Sequence, residues 1–212
     1  SRIDIKNEFV IKGINLEGLR KIGDPLEIAT NYYRDGIDEI MMMDAVASLY
    51  GRSQITEILY ETTRDVFIPL TAGGGIRNID DVHQLLRSGA DKVAINTAAV
   101  RNPELISEVA SKYGNQCMVL SIEAKKRGLN SWEIYTECGR ESTGIEVTEW
   151  AKKAQLLGAG EILLTSIDCE GTRKGFDLDL MKSITSEVSI PVIASGGFGN
   201  ISHIKPLLNT GI

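Results

Sequence analysis

Two carboxylates, Asp4 and Glu123, each stand at the end of a short apolar run and each is followed two residues later by a lysine, Lys6 or Lys125. Placed at the ends of opposite strands, such a pair would face one pocket and suit general base and general acid work. The plainer alternative is that each carboxylate pairs with its neighbouring lysine. Gly73, Gly74 and Gly75 follow the third apolar run, and Ser195, Gly196 and Gly197 follow the seventh, each cluster opening a helical pattern. Backbone amides freed by glycine and aimed by a helix start can hold phosphate without net positive charge. One glycine cluster is also met by a tight turn; two at equivalent positions predict a substrate with a phosphate at each end. Asn96 and Thr97 would complete the first phosphate site. Asp44 could hold a hydroxyl, orient a base or cap its own loop at Ser48. The polar stretch Thr165 to Thr172, with Glu170 and Gly171, is expected to touch substrate, and Lys12 is a candidate phosphate or ribose contact. His83 and His203 lie beside leucines in helical patterns and read as solvent-facing, while Met41–Met43 read as core. Glu39, Lys92 and Glu161 stand at strand starts, where they could form a salt-bridge ring or a gate around an axial opening.

The elements that must carry these residues alternate along the chain, strand then helix, as in units wound around a parallel sheet. The expected strands are Ser1–Ile5, Glu39–Met43, Ile68–Thr71, Lys92–Ile95, Met118–Ile122, Glu161–Ser166 and Pro191–Ala194. Helical patterns cover Pro25–Asp35, Ile79–Ser88 and Glu146–Leu157. Asp24–Pro25 and Asn102–Pro103 supply helix starts, and Gly36, Gly89, Gly114 and Gly158 supply stops. An internal repeat decides the architecture. At a shift of 122 residues Gly36, Glu39 and Ile40 fall on Gly158, Glu161 and Ile162, Ile68–Pro69 on Ile190–Pro191, Gly74–Gly75 on Gly196–Gly197, and Asn78 on Asn200. Near the start a shift of 119 lays Ile3, Asp4 and Lys6 on Ile122, Glu123 and Lys125. Two such halves, about 1–117 and 118–212, make an α/β fold of the (β/α)8 TIM barrel type, read as one domain over 1–212. Ile212 aligns with Ala90, ahead of a fourth strand in the second copy, and Ser1 falls within a strand. The expectation is therefore a barrel truncated at both ends, its eighth strand beyond the last residue.

The chain has 212 residues, 42% hydrophobic and 25% charged, with a formal net charge of −6. With an isoelectric point near 5.1 and a mean hydropathy of −0.05, this balance argues against a nucleic-acid groove or attraction to anionic membranes. No apolar run approaches a membrane span, and a cytoplasmic location is expected. Three scattered cysteines suggest neither a disulfide frame nor a zinc site; no metal or cofactor is expected.

Several blocks together resemble the cyclase subunit of imidazole glycerol phosphate synthase, the ammonia-using enzyme of histidine biosynthesis. They are Gly23–Pro25, Thr71–Ile76, Gly89–Asn102 (GADKVAINTAAVRN), Gly158–Asp168 (GAGEILLTSID) and Ile190–Gly197 (IPVIASGG). The resemblance implies that phosphoribulosyl-formimino aminoimidazole carboxamide ribonucleotide reacts with ammonia to give imidazole glycerol phosphate and an aminoimidazole carboxamide ribotide. Ammonia would come from a glutaminase partner in a heterodimer. The family's acid and base map onto Asp4 and Glu123, and its phosphate loops onto Gly74, Gly75, Asn96, Thr97 and Ser195–Gly197. Its ammonia gate maps onto Glu39, Lys92 and Glu161, and Asp91 takes the position that meets the glutaminase. The sequence departs from the family where the chemistry is most exacting. Glu123 stands for an aspartate, Glu170 likewise, Arg2-Ile3-Asp4 for Cys-Leu-Asp, and Asn7-Glu8 for Asp-Gly. One methylene moves a carboxylate by roughly 1.5 Å, and a misplacement of about 1 Å can cost a hundredfold in rate. These departures leave two alternatives beside the cyclase: a paralogue that delivers ammonia for amidation of a surface-polysaccharide sugar, and a non-catalytic partner that activates a glutaminase.

Overall fold

The computed structural model describes residues 1–47 and 55–212. In chain order the strands are β1 (Arg2–Lys6), β2 (Phe9–Ile14), β3 (Glu17–Gly23), β4 (Ile40–Asp44), β5 (Leu70–Gly73), β6 (Lys92–Ile95), β7 (Met118–Gly128), β8 (Ser131–Thr136), β9 (Glu141–Glu146), β10 (Glu161–Ser166) and β11 (Val192–Ser195). The described helices are α1 (Pro25–Arg34), α2 (Ile55–Thr62), α3 (Ile79–Arg87), α4 (Thr97–Arg101), α5 (Glu104–Tyr113), α6 (Val147–Leu157), α7 (Leu178–Thr185) and α8 (Ile204–Leu208). None is long and apolar enough to cross a membrane.

Seven strands form a parallel wall in the order β1-β4-β5-β6-β7-β10-β11. Among the described residues β11 and β1 end this row without pairing to each other. Side chains of a strand alternate between two faces, and here both faces are apolar, as expected of a parallel sheet covered by helices. Outward residues such as Ile3, Ile40, Met42, Val93, Leu120 and Leu164 join the helices in one continuous core. Inward residues Met41, Met43, Ala94, Val119 and Leu163 form a second, separate cluster. Two concentric cores are the packing of a (β/α) barrel, and burying each of these aliphatic side chains contributes about 1.5–3 kcal/mol. The methionines divide as the alternation requires, Met42 outward and its neighbours inward.

Helix starts follow the expected punctuation in part. Asp24 accepts from the Glu27 amide at 2.9 Å, with Pro25 in the first turn, and Asn78 accepts from the amides of Asp80 and Asp81. Asn200, its repeat equivalent, does the same for Ser202. Asn102 does not cap α5 with its side chain: it ends α4, and Pro103 occupies the cap in helical conformation. The third wall strand is Leu70–Gly73, two residues later than expected, so Gly73 belongs to the strand and the loop starts at Gly74.

Two elements went unread in the sequence. Each repeat carries an antiparallel hairpin after its first strand, β2–β3 on β1 and β8–β9 on an extended β7. Their turns use residues in the left-handed region: Asn7 after β1, Asn15 and Leu16 between β2 and β3, Asn130 between β7 and β8, and Glu137, Cys138 and Gly139 between β8 and β9. Such turns fit the twist of paired strands, but without Asn-Gly or Asp-Gly pairs they give a weak signal. Trp132 anchors the second hairpin, donating its indole N–H to Asp177 at 3.0 Å, while Asp177 also caps α7 through the Leu180 amide at 3.1 Å.

Candidate functional site

The mouth at the C-terminal ends of the wall strands encloses about 840 Å³ of space open to solvent. Asp4 and Glu123 both line it, and both are nearly buried, at 9% and 7% exposure. Register explains the placement: Asp4 pairs with Met43, at the edge of the inner apolar cluster, and Glu123 with Thr165. The repeat therefore brings the two carboxylates to one cavity, as expected. Neither is bound to its neighbouring lysine. Asp4 accepts from Arg2 Nε at 2.7 Å and lies 3.5 Å from Lys12 Nζ. Glu123 is served by neutral donors, the Asn96 amide at 3.1 Å and the backbone N–H of Gly139.

These surroundings set the charges. Burial pushes the Glu123 carboxyl from the usual 4.5 up to about 7. The charge of Arg2, the Gly139 N–H and the Asn96 amide pull it back in part, while the negative charge of Asp4 adds to the rise. Burial opposes the Arg2 charge, yet Asp4, Glu170 and Glu123 more than offset this and raise its pKa. The guanidinium also donates from Nη1 to Thr165 Oγ1 at 3.1 Å, tying β1 to β10 across the barrel. Thr165 is fully buried and gives its hydroxyl oxygen to Arg2.

The glycine loops are alike in both halves. Gly74 and Gly75 have φ of +95° and +73°, Gly196 and Gly197 of +95° and +96°. A Cβ on Gly74 would lie 2.1 Å from the carbonyl oxygen of Asp44, and one on Gly196 would lie 2.7 Å from that of Ser166, the residue 122 positions on. Close approach of two backbones, together with a left-handed conformation, demands glycine at both places. Gly74, Gly75, Asn96 and Thr97 share the cavity with the two carboxylates. Ser195–Gly197, Glu170 and Gly171 do not line it; Ser195 ends β11 and the others follow β10 and β11 on the other half of the mouth. The Asn96 amide is committed to Glu123 and to the Tyr135 carbonyl at 3.0 Å, and Thr97 Oγ1 accepts from the Glu137 amide at 3.1 Å. Asp44 accepts from the amides of Val46 and Ala47, which caps the turn after β4; Ser48 lies outside the described residues.

The hairpins add residues that the sequence reading missed. Leu16 and Leu19 reach the cavity from the first hairpin, Cys138 and Arg140 from the second. The tips meet over the mouth, where a Cβ on Gly139 would come within 2.7 Å of Leu16 Cδ1. The first tip is fastened to the loop after β10 by the Asn15 amide on the Glu170 carbonyl at 2.8 Å.

At the opposite end of the barrel Lys92 Nζ lies 2.6 Å from Glu161 and 3.4 Å from Glu39, whose carboxylate also accepts from Thr71 Oγ1 at 2.9 Å. Burial alone would lower the Lys92 pKa; the hydrogen bond and charge of Glu161, then Glu39, raise it instead. This cluster spans the barrel floor beneath the inner apolar layer. Asp91 is exposed beside it and accepts from the Leu70 amide at 2.8 Å. Among the described residues no group of three or more His, Cys, Asp or Glu is arranged to hold a metal ion.

The cavity with its two inward carboxylates and the Gly74–Gly75 loop belongs to a chain with known relatives. The chain is 60% identical over 205 residues, covering 97% of each chain, to the imidazole glycerol phosphate synthase subunit HisF of Legionella pneumophila. Residues 2–212 match the family model described as histidine biosynthesis protein. The chain belongs to the histidine biosynthesis protein family.

Proposed function

We propose that this protein is the ammonia-dependent cyclase subunit of imidazole glycerol phosphate synthase. It converts phosphoribulosyl-formimino aminoimidazole carboxamide ribonucleotide to imidazole glycerol phosphate and an aminoimidazole carboxamide ribotide. The observation that carries this reading is the pair of nearly buried carboxylates, Asp4 and Glu123, on repeat-equivalent strands of one cavity beside the Gly74–Gly75 loop. Ammonia condenses with the ribulosyl ketone, releasing water, and its nitrogen then closes the ring on the formimino carbon; one carboxyl takes a proton from the attacking nitrogen, and the other returns one to the departing aminoimidazole nitrogen. Gly74, Gly75 and Thr97 bind one terminal phosphate, with Asn96 held above Glu123 beside it. Ser195, Gly196 and Gly197 bind the other phosphate, with Lys12, Asp44, Thr165, Glu170 and Gly171 around the span between.

The partner is a glutaminase that docks on the strand-start end near Asp91 and passes ammonia through the floor at Glu39, Lys92 and Glu161. The identity to a relative that carries the synthase name favours this over the sugar-amidating and non-catalytic alternatives. The test is consumption of the bisphosphate substrate by the protein with an ammonium salt, without glutaminase. Turnover is expected, and Asp4→Asn should cut it by about 10² to 10⁴ while sparing substrate binding. Binding without turnover would overturn the assignment, and an undiminished Asp4→Asn variant would remove Asp4 from the mechanism.

A further inference from the structure

The duplication alone would give two carboxylates of equal standing, yet one residue breaks the symmetry. Arg2 lies two positions before Asp4 on β1, and its repeat equivalent two positions before Glu123 on β7 is Ser121. Both line the cavity. A guanidinium in this place is expensive to bury unless paired, and it is paired on two sides, to Asp4 at 2.7 Å and to Thr165 at 3.1 Å. Its rigid planar fork fixes the Asp4 carboxylate in direction, which a lysine could not do. Among the described residues Glu123 receives no cation at hydrogen-bond distance.

The charged and titratable groups facing Glu123 come from several elements. They are Arg2 and Asp4 of β1, Asp44 at the end of β4, Tyr135 opposite Glu123 on β8, and Cys138 and Arg140 of the second hairpin, while Lys12 of β2 and Glu170 after β10 act through Asp4 and Arg2. Arg2 is the buried cation among them.

We propose that Arg2 is a positioning residue that makes the two carboxyls unequal: it holds Asp4 oriented against β10 and sets a fixed positive charge beside Glu123. This deepens the cyclase reading and rests on it for the reaction, but the electrostatic claim can be read without turnover. The Glu123 carboxyl is followed by carbon-13 NMR of protein labelled at the glutamate side-chain carboxyl carbons, with Glu123→Gln assigning the resonance. In the wild type its midpoint is expected near pH 7. Arg2→Gln, which keeps hydrogen bonding and removes the charge, should move the midpoint upward by about one unit or more, because an opposite charge at close range favours the carboxylate. Arg2→Met provides the same charge removal where Arg2→Gln does not fold, and Arg2→Lys should restore the wild-type midpoint.

In the ammonium-supported reaction the Glu123 limb of the kcat/KM profile should shift with the NMR midpoint. Arg2→Lys should still lose part of kcat, since the fork to Thr165 is gone. An Arg2→Gln or Arg2→Met protein that melts cooperatively yet titrates Glu123 as the wild type does would overturn the proposal. A shifted midpoint in a protein with no turnover would support Arg2 in its electrostatic role and sink the cyclase reading instead.

Discussion

Glu123→Gln should make the protein more stable at pH 8 than at pH 5, relative to the wild type at the same two pH values. The native carboxyl titrates near 7 and the unfolded one near 4.5. A group whose folded pKa is raised binds protons more tightly in the native state, so stability falls as pH rises from about 4.5 to 7 and stays low above that window. At 1.36 kcal/mol per unit, a difference of that size is about 3 kcal/mol. Exposure is only 7%, so solvent screening does not dilute it much. Glutamine carries no charge to desolvate, and its carbonyl oxygen can still accept from Asn96 and Gly139. The pH-independent part of the substitution cancels when the variant's ΔΔG at pH 5 is subtracted from that at pH 8. In a chain of this size about 3 kcal/mol corresponds to roughly 6–12 °C in Tm. Urea unfolding at both pH values, followed by circular dichroism, measures the difference directly. A ΔΔG that is the same at pH 5 and pH 8 would refute the reasoning, because it would mean that the carboxyl is solvated as in the unfolded chain.

Three further outcomes follow from single contacts. Gly74→Ala puts a methyl 2.1 Å from the Asp44 carbonyl at a φ of +95°; it should displace the loop and weaken phosphate-dependent substrate binding at least tenfold by calorimetry, about 1.4 kcal/mol. Lys92→Met leaves Glu39 and Glu161 without their shared cation across the barrel floor. The cluster is partly exposed, so the loss should be about 1–3 kcal/mol at neutral pH, which urea melts would show. Asp177→Ala removes the α7 cap and the acceptor of the Trp132 indole together; denaturant unfolding should report a loss of about 2–4 kcal/mol.

The wall of the barrel was legible because burial on both faces leaves a plain mark: runs such as Ile162–Leu164 and Met118–Leu120 are apolar without alternation, and helices capped by Asp24, Asn78 and Asn200 separate them. The 122-residue repeat makes Gly74 equivalent to Gly196 and Glu39 to Glu161 from the sequence alone. The hairpins were not legible, since their positive-φ turns fall on Asn15, Leu16 and Glu137, residues that announce no turn type. Missing the hairpins meant missing Leu16, Leu19, Cys138 and Arg140 as walls of the cavity. Gly74, Gly75, Asn96 and Thr97 share one cavity with Asp4 and Glu123, while Ser195–Gly197 and Glu170 lie outside it, and the bonds these residues make were not foreseeable from spacing. Asn96 braces Glu123, Thr165 holds Arg2, and Asp44 caps its own turn.

Arg2 shows why spacing falls short. In the sequence it stood only as a departure from the Cys-Leu-Asp pattern; in the barrel it is the cation that makes Asp4 and Glu123 unlike. Duplication supplies two equivalent strand ends, and equivalence is the wrong starting point for acid–base chemistry, which needs one group that holds a proton and one that has lost it. The fold removes the equivalence with few substitutions. Asp4 is met by Arg2 and Lys12, both charged, whereas Glu123 is met by the Asn96 amide and the Gly139 N–H, both neutral. The longer side chain at position 123 enters the same balance. Burial is the largest cause of its raised pKa, and the ordinary value of a glutamate already lies above that of an aspartate. Glu123→Asp should therefore lower the midpoint of this group as well as draw it back from the substrate. Arg2→Gln should raise that midpoint, so the two variants displace the same pH limb in opposite directions. Limbs that moved together, or not at all, would show that neither side chain length nor the guanidinium governs the proton at this end of the barrel.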